Sequence, residues 1–209
     1  GQIDAQALAQ AKERLSQAKN LWNRIAGGDA SVSSAFEKEM TGLADAGNRL
    51  NAPALAKLLR ELSGIARHAA HSQPGDSLSL EIATSLLFVE NALQQIGHLS
   101  DDFAERADAV TARLLSAVSG EALPHSAQWL DEMSREAQER QTMAALAGEM
   151  QSSLRQVEKM LDEYFRDTTQ RAGLTDIDAI LYQISGALSV LEQEDAVRAV
   201  QHTQAAVRR

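Results

Sequence analysis

Apolar residues recur at gaps of three and four along nearly the whole chain, the spacing that lines them up on one face of an α-helix. The longest run extends from Ser126 to about Gln170. It passes through Trp129, Met133, Ala137, Ala144, Ala147, Met150, Leu154, Val157, Leu161 and Phe165 with no proline to stop it. At about 1.5 Å per residue this predicts a helix on the order of 60 Å long. Polar residues fill its other faces, so it reads as an amphipathic beam and not a membrane span. Gly148 is its expected bend.

Five shorter helices are predicted before the beam. The first covers about Asp4 to Ala26, with Leu8, Ala11, Leu15, Ala18, Trp22 and Ile25 inward, and ends at Gly27-Gly28. The second starts at an Asp29 or Ser31 cap and runs through Val32, Phe36, Met40, Leu43, Gly47 and Leu50. Pro53 opens the third, which buries Leu55, Leu58, Leu59, Leu62, Ile65, Ala66 and Ala69. The fourth, Leu78 to about Gly97, turns Ile82, Leu86, Val89, Leu93 and Ile96 inward. Ser100-Asp101-Asp102 caps the fifth, whose core face is Phe103, Ala107, Val110, Leu114 and Val118. Gly120 to Pro124 is the expected domain boundary, giving a bundle over 1–122 and a second module over 123–209, which together could form one continuous unit. Beyond the beam, Thr175 is the expected cap of a seventh helix that buries Ile177, Leu181, Ile184, Leu188 and Leu191. A short, weakly patterned eighth runs from Asp195 to Arg209.

Composition narrows the class. Aromatics make up 4% of the 209 residues and prolines number three, which favours an all-α fold of helical bundles. A net charge of −9 argues against nucleic acid or an anionic membrane as the main partner. The absence of cysteine excludes disulfides and Cys-ligated metal and fits a cytoplasmic protein. No apolar run is long enough for direct membrane insertion. Opening on Gly and ending within a helical pattern, the chain reads as a fragment of something longer.

A short stretch occurs twice. Leu58-Leu-Arg-Glu-Leu-Ser-Gly-Ile-Ala66 aligns with Ile180-Leu-Tyr-Gln-Ile-Ser-Gly-Ala-Leu188. The buried faces centre on Leu62 and Ile184, so Arg60 with Gly64, and Tyr182 with Gly186, point the other way. A helical glycine costs about 1 kcal/mol relative to alanine, and an exposed one in the same frame twice suits a closely docking partner. Coincidence in an Ala-rich chain is the competing explanation. The echo resembles the histidine-phosphotransfer motif, His-x-Leu-Lys-Gly-Ser-Ala. Matching Leu62 and Gly64 to it puts Arg60 at the acceptor histidine and Ser63 at the lysine; the second copy puts Tyr182 and Ser185 there. Neither can take a phosphoryl group on nitrogen.

The likeness widens. Leu80-Glu-Ile-Ala-Thr-Ser-Leu-Leu-Phe-Val-Glu-Asn-Ala-Leu93, Trp129-Leu-Asp-Glu-Met and Leu154-Arg-Gln-Val-Glu-Lys-Met-Leu-Asp-Glu-Tyr-Phe-Arg-Asp167 resemble the FimL/ChpA (PilL) family of the type IV pilus chemosensory system. The resemblance implies degenerate, unphosphorylated phosphotransfer-like modules in the signalling that governs twitching motility. Within that family, a stretch cut at both ends points to the N-terminal region of the large hybrid histidine kinase over the stand-alone scaffold. It further implies a response regulator or a pilus or polar scaffold protein as partner.

Arg60, Gly64, Arg67 and His71 form one exposed, locally basic stripe, the first candidate docking surface; Tyr182 and Gly186 mark the second. His68 and His71 sit three apart but find no third metal ligand in the sequence. The carboxylates lie at helix-surface spacing beside Lys and Arg, as Glu158, Lys159 and Asp162 do. No catalytic residue and no cofactor emerges. The reading is a non-catalytic interaction region. Its rivals are a working phosphotransfer module on an off-motif histidine, and a helical enzyme with a carboxylate or metal site.

Overall fold

The computed structural model describes residues 2–167 and 172–207. Among them all regular structure is helical: α1 (Ala5–Ala26), α2 (Ser33–Gly47), α3 (Pro53–Ala70), α4 (Asp76–Gln94), α5 (Phe103–Ser119), α6 (Gln128–Arg166) and α7 (Ala172–Val207), with 3-10 turns at Ala30–Val32 and Ile96–His98. The chain divides into two compact units, Gly1–Gln141 and Thr142–Arg209. The division falls inside α6 and not in the Gly120–Pro124 stretch, because the start of α6 contributes Leu130 to the first unit's core.

Local chemistry sets the helix ends. Asp4 accepts the Ala7 backbone N–H at 3.1 Å and so satisfies one of the free donors at the start of α1. Gly28 turns the chain out of α1 with φ +99°, a conformation that costs glycine little. Asp29 does cap, but it caps the 3-10 turn, accepting from Ser31 N at 3.0 Å; α2 begins one turn later than the spacing predicts. Asp102 is not a backbone cap. Its carboxylate takes the Ser100 hydroxyl at 2.6 Å and Arg106 Nε at 3.1 Å instead.

In the first unit α1 packs against α2 and α4, α2 against α3, α3 against α4 and α5, and α4 against α5. The faces that meet are the expected ones. Leu15, Trp22, Phe36, Met40, Leu43, Leu59, Leu62, Ile82, Leu86, Leu93, Val110 and Leu114 are all buried. Each such side chain contributes roughly 1.5–3 kcal/mol by leaving water. Trp22 lies 5.1 Å from Phe36 between ring centroids and donates its indole N–H to the Ser79 carbonyl at 3.0 Å, so its one polar atom is satisfied in the core. Gly47 serves close packing: a Cβ there would sit 2.5 Å from Leu59 Cδ1. Val118 departs from expectation. It is about half exposed, because full burial along α5 ends at Leu114, more than a turn and a half before the left-handed Gly120 that closes the helix.

Two polar networks hold the start of α6, the part that belongs to the first unit, against this bundle. Arg113 on α5 donates Nε and Nη2 to the two carboxylate oxygens of Glu81 on α4, at 3.1 and 2.7 Å, with 8% and 3% of the side chains exposed. Arg113 Nη1 donates to Ser126 Oγ at 2.9 Å and lies 3.5 Å from Asp131, drawing in the connection to α6. Farther along, Glu90 on α4 bridges Lys19 of α1 and Arg140 of α6, the latter at 3.2 Å. Burial, and secondarily the Arg140 charge, push the Lys19 ammonium below the usual lysine range. Trp129 anchors the start of α6: its ring is 5.9 Å from Phe88, with the Arg106 guanidinium 4.8 Å from its centroid.

The second unit is thinly cored. Val157, Ile177 and Ile184 are buried, while Leu154, Phe165, Leu181 and Leu188, all expected inward, are exposed. Two helices can cover only a narrow seam, and side chains on its edges stay wet. The expected seventh and eighth helices are one, α7, since neither Pro nor a second Gly follows Gly186 to break it. Thr175, the expected cap, lies within this helix and not at its start. The side chains from Asp195 onward, and the expected end of the long helix near Gln170, lie outside the described residues.

Replacing Arg113 with Ala leaves the Glu81 carboxylate buried without its partner, and should remove about 3–5 kcal/mol from the unfolding free energy in denaturant titration. The double change Arg113→Met with Glu81→Leu should restore most of that loss, because the cost lies in the orphaned charge.

Candidate functional site

The α3 surface follows from how α2 and α3 pair. Leu55, Leu58, Leu59, Leu62 and Ala66 take the buried face, which leaves Arg60, Gly64 and His71 exposed and Arg67 half-buried at the edge. Steps of four, three and four keep the four residues on one side. No atom lies within 4 Å of where a Gly64 Cβ would be, so a partner's approach there is unobstructed. Ser63, at the position of the phosphotransfer lysine, is buried and unavailable at that surface.

The stripe is less freely basic than its sequence implies. Glu37 on α2 faces it, accepting Arg67 Nη2 at 2.9 Å and Nε at 3.3 Å on one oxygen. Its other oxygen lies 3.0 Å from His71 Nε2. Arg60 donates to the Asn48 side-chain oxygen at 3.3 Å. The His71 and Arg67 hydrogen bonds hold the Glu37 carboxyl below the usual glutamate range. The surface is therefore an organised Arg–Glu–His cluster with an open glycine beside it, and Arg60 is the cation farthest from a carboxylate partner in this set. A signal for Glu37 existed in the sequence: Glu37 and Arg67 lie equally far along the chain from Ala52, in the turn of the α2–α3 hairpin.

Tyr182 and Gly186 sit on α7 in the second unit. Tyr182 is 82% exposed, and a Gly186 Cβ would meet nothing within 4 Å. Both echoes therefore present their marked residues outward, as the helical phase predicts. His68 is exposed beside His71, and no group of three potential ligands around a metal position occurs among the described residues. A cavity of about 340 Å³ lies between α5 and the start of α6. Its principal charged groups are already committed, Arg106 to Asp102 and Arg113 to Glu81. No helix among the described residues is long and apolar enough to cross a membrane.

Residues 137–209 match the family model described as the FimL C-terminal domain. No curated protein and no solved structure matches the chain.

The Glu37 cluster has a readable titration. A carboxyl whose folded pKa is lowered contributes stability above its unfolded pKa and loses it as pH falls through the folded value. Glu37 should thus titrate, by carboxyl-carbon NMR, below the ordinary glutamate range. Replacing His71 with Ala should move that midpoint upward; an unmoved midpoint would show that the imidazole does not hold the carboxylate in solution.

Proposed function

From the match of residues 137–209 to the FimL C-terminal domain model, we infer that this protein is a non-catalytic interaction region in type IV pilus signalling. That family match is the observation that carries the reading. The exposed surfaces agree with it. The residues aligned with a phosphotransfer acceptor are Arg60 and Tyr182. An arginine guanidinium stays protonated and offers no nitrogen lone pair to a phosphoryl group. What remains of such a module is its docking face.

In this reading the chain holds a response regulator or a pilus or polar scaffold protein on the cytoplasmic side without passing phosphate to it. It would do so as part of a CheA-like hybrid kinase or of the related scaffold. The α3 surface is the first candidate for that contact. Arg60 and the Arg67–Glu37–His71 cluster supply oriented donors for an acidic partner, and Gly64 admits a backbone or ring close to the helix. Tyr182 with Gly186 is the second, with an amphipathic ring beside an open glycine.

The test is binding of a purified response regulator from the same pilus system, measured by titration calorimetry. Gly64→Gln and Arg67→Glu should each keep the helical circular-dichroism signal and weaken binding by at least about tenfold, roughly 1.4 kcal/mol. Parent-like affinity in both variants would move the contact to Tyr182 and Gly186. No binding by the parent to any regulator or scaffold of the system would overturn the reading.

A further inference from the structure

On α7 the residues Asp178, Leu181, Ser185, Leu188 and Glu192 follow at steps of three and four, so they form one stripe along the helix. All five are exposed. The stripe runs beside the buried line of Ile177 and Ile184 and is not part of it. Its centre is apolar: Leu181 and Leu188, one heptad apart, remain 42% and 43% exposed around the small Ser185. Each end is a carboxylate. From residue 172 to residue 197 the chain has no lysine, arginine or histidine, so no cation of this stretch offsets the acids.

We propose that this stripe is the docking site of an amphipathic helix from another protein, one with aliphatic side chains at its centre and lysine or arginine at both ends. Leucines seven residues apart with a small residue between them make the kind of gap into which a second helix sets its own side chains. The carboxylates, about 21 Å apart at 1.5 Å per residue, fix register by pairing with cations beyond each end of that apolar contact. Charge disfavours the simplest alternative, a second copy of this chain. Laid antiparallel with Ser185 over Ser185, two copies bring Asp178 against Glu192 at both ends. Laid parallel, they bring each acid against itself. Either way like charges meet. The proposal shares with the interaction reading only the need for a protein partner, and it stands on α7 alone.

The probe is a labelled synthetic helix with leucines at the same steps and lysines spaced as Asp178 and Glu192 are, against a version with glutamates in place of the lysines. Fluorescence anisotropy with the full chain should show the lysine helix binding at least about tenfold more tightly, with the difference shrinking as salt is raised. Asp178→Lys combined with Glu192→Lys, changes at exposed positions, should reverse the preference. Leu188→Gln should weaken both peptides, with helicity checked by circular dichroism. Arg67→Glu should change neither, so failure here and failure of the α3 surface are read separately. Equal binding of the two peptides, or binding of neither, overturns the proposal. So does a dimer in sedimentation that Leu188→Gln dissociates, which would assign the stripe to a second copy.

Discussion

Glu81 and Arg113 are the ion pair in the first unit with both side chains almost wholly out of water. Taking such charges into a low-dielectric interior costs several kcal/mol per ion, recovered only when geometry is good and the remaining donors are satisfied. Here Arg113 uses two nitrogens on Glu81 and a third on Ser126, whose hydroxyl in turn donates to Asp131. The pair thus ties α4 and α5 to the segment that leads into α6. Trp129 and Leu130 then follow into place over Phe88 and the core. Hydrophobic burial supplies the stability of the bundle; this pair ties α4 and α5 to Ser126, just ahead of α6.

The first unit was largely legible because its sequence and burial agree. Each of its helices carries one clean apolar face, and the turns fall at Gly27-Gly28, Pro53 and Pro74-Gly75. What escaped was long-range polar pairing. Arg113 sits at the edge of an apolar face, next to Leu114, and Glu81 sits next to Ile82, yet periodicity alone cannot say that two such edges meet. Glu37 escaped for the same reason, although the hairpin register around Ala52 points to it. The second unit was less legible. Leu181, Leu188 and Phe165 have inward spacing, but a pair of helices has too little surface to bury them, so the apolar pattern overstated the core. The single α7 also defeated a cap-based boundary: Thr175 and Asp195 are good helix starters that do not oblige a helix to end before them.

These differences bear on function. The first unit carries an α3 surface whose Arg67 and His71 are held by Glu37, which gives it oriented donors. The α7 surface is different, apolar in the middle and acidic at its ends. The two surfaces differ in chemistry, and neither has a histidine at the aligned positions Arg60 and Tyr182.

In the proposed role the chain docks partners without carrying phosphate. Its most direct test is incubation of the purified protein with the kinase domain of its own pilus system and ATP, followed by intact-mass measurement at neutral pH and after acid treatment. No phosphoryl adduct should form while a genuine phosphotransfer domain in the same mixture is labelled. An acid-labile adduct on His68, His71, His98, His125 or His202, formed at a rate comparable to that control, would contradict it.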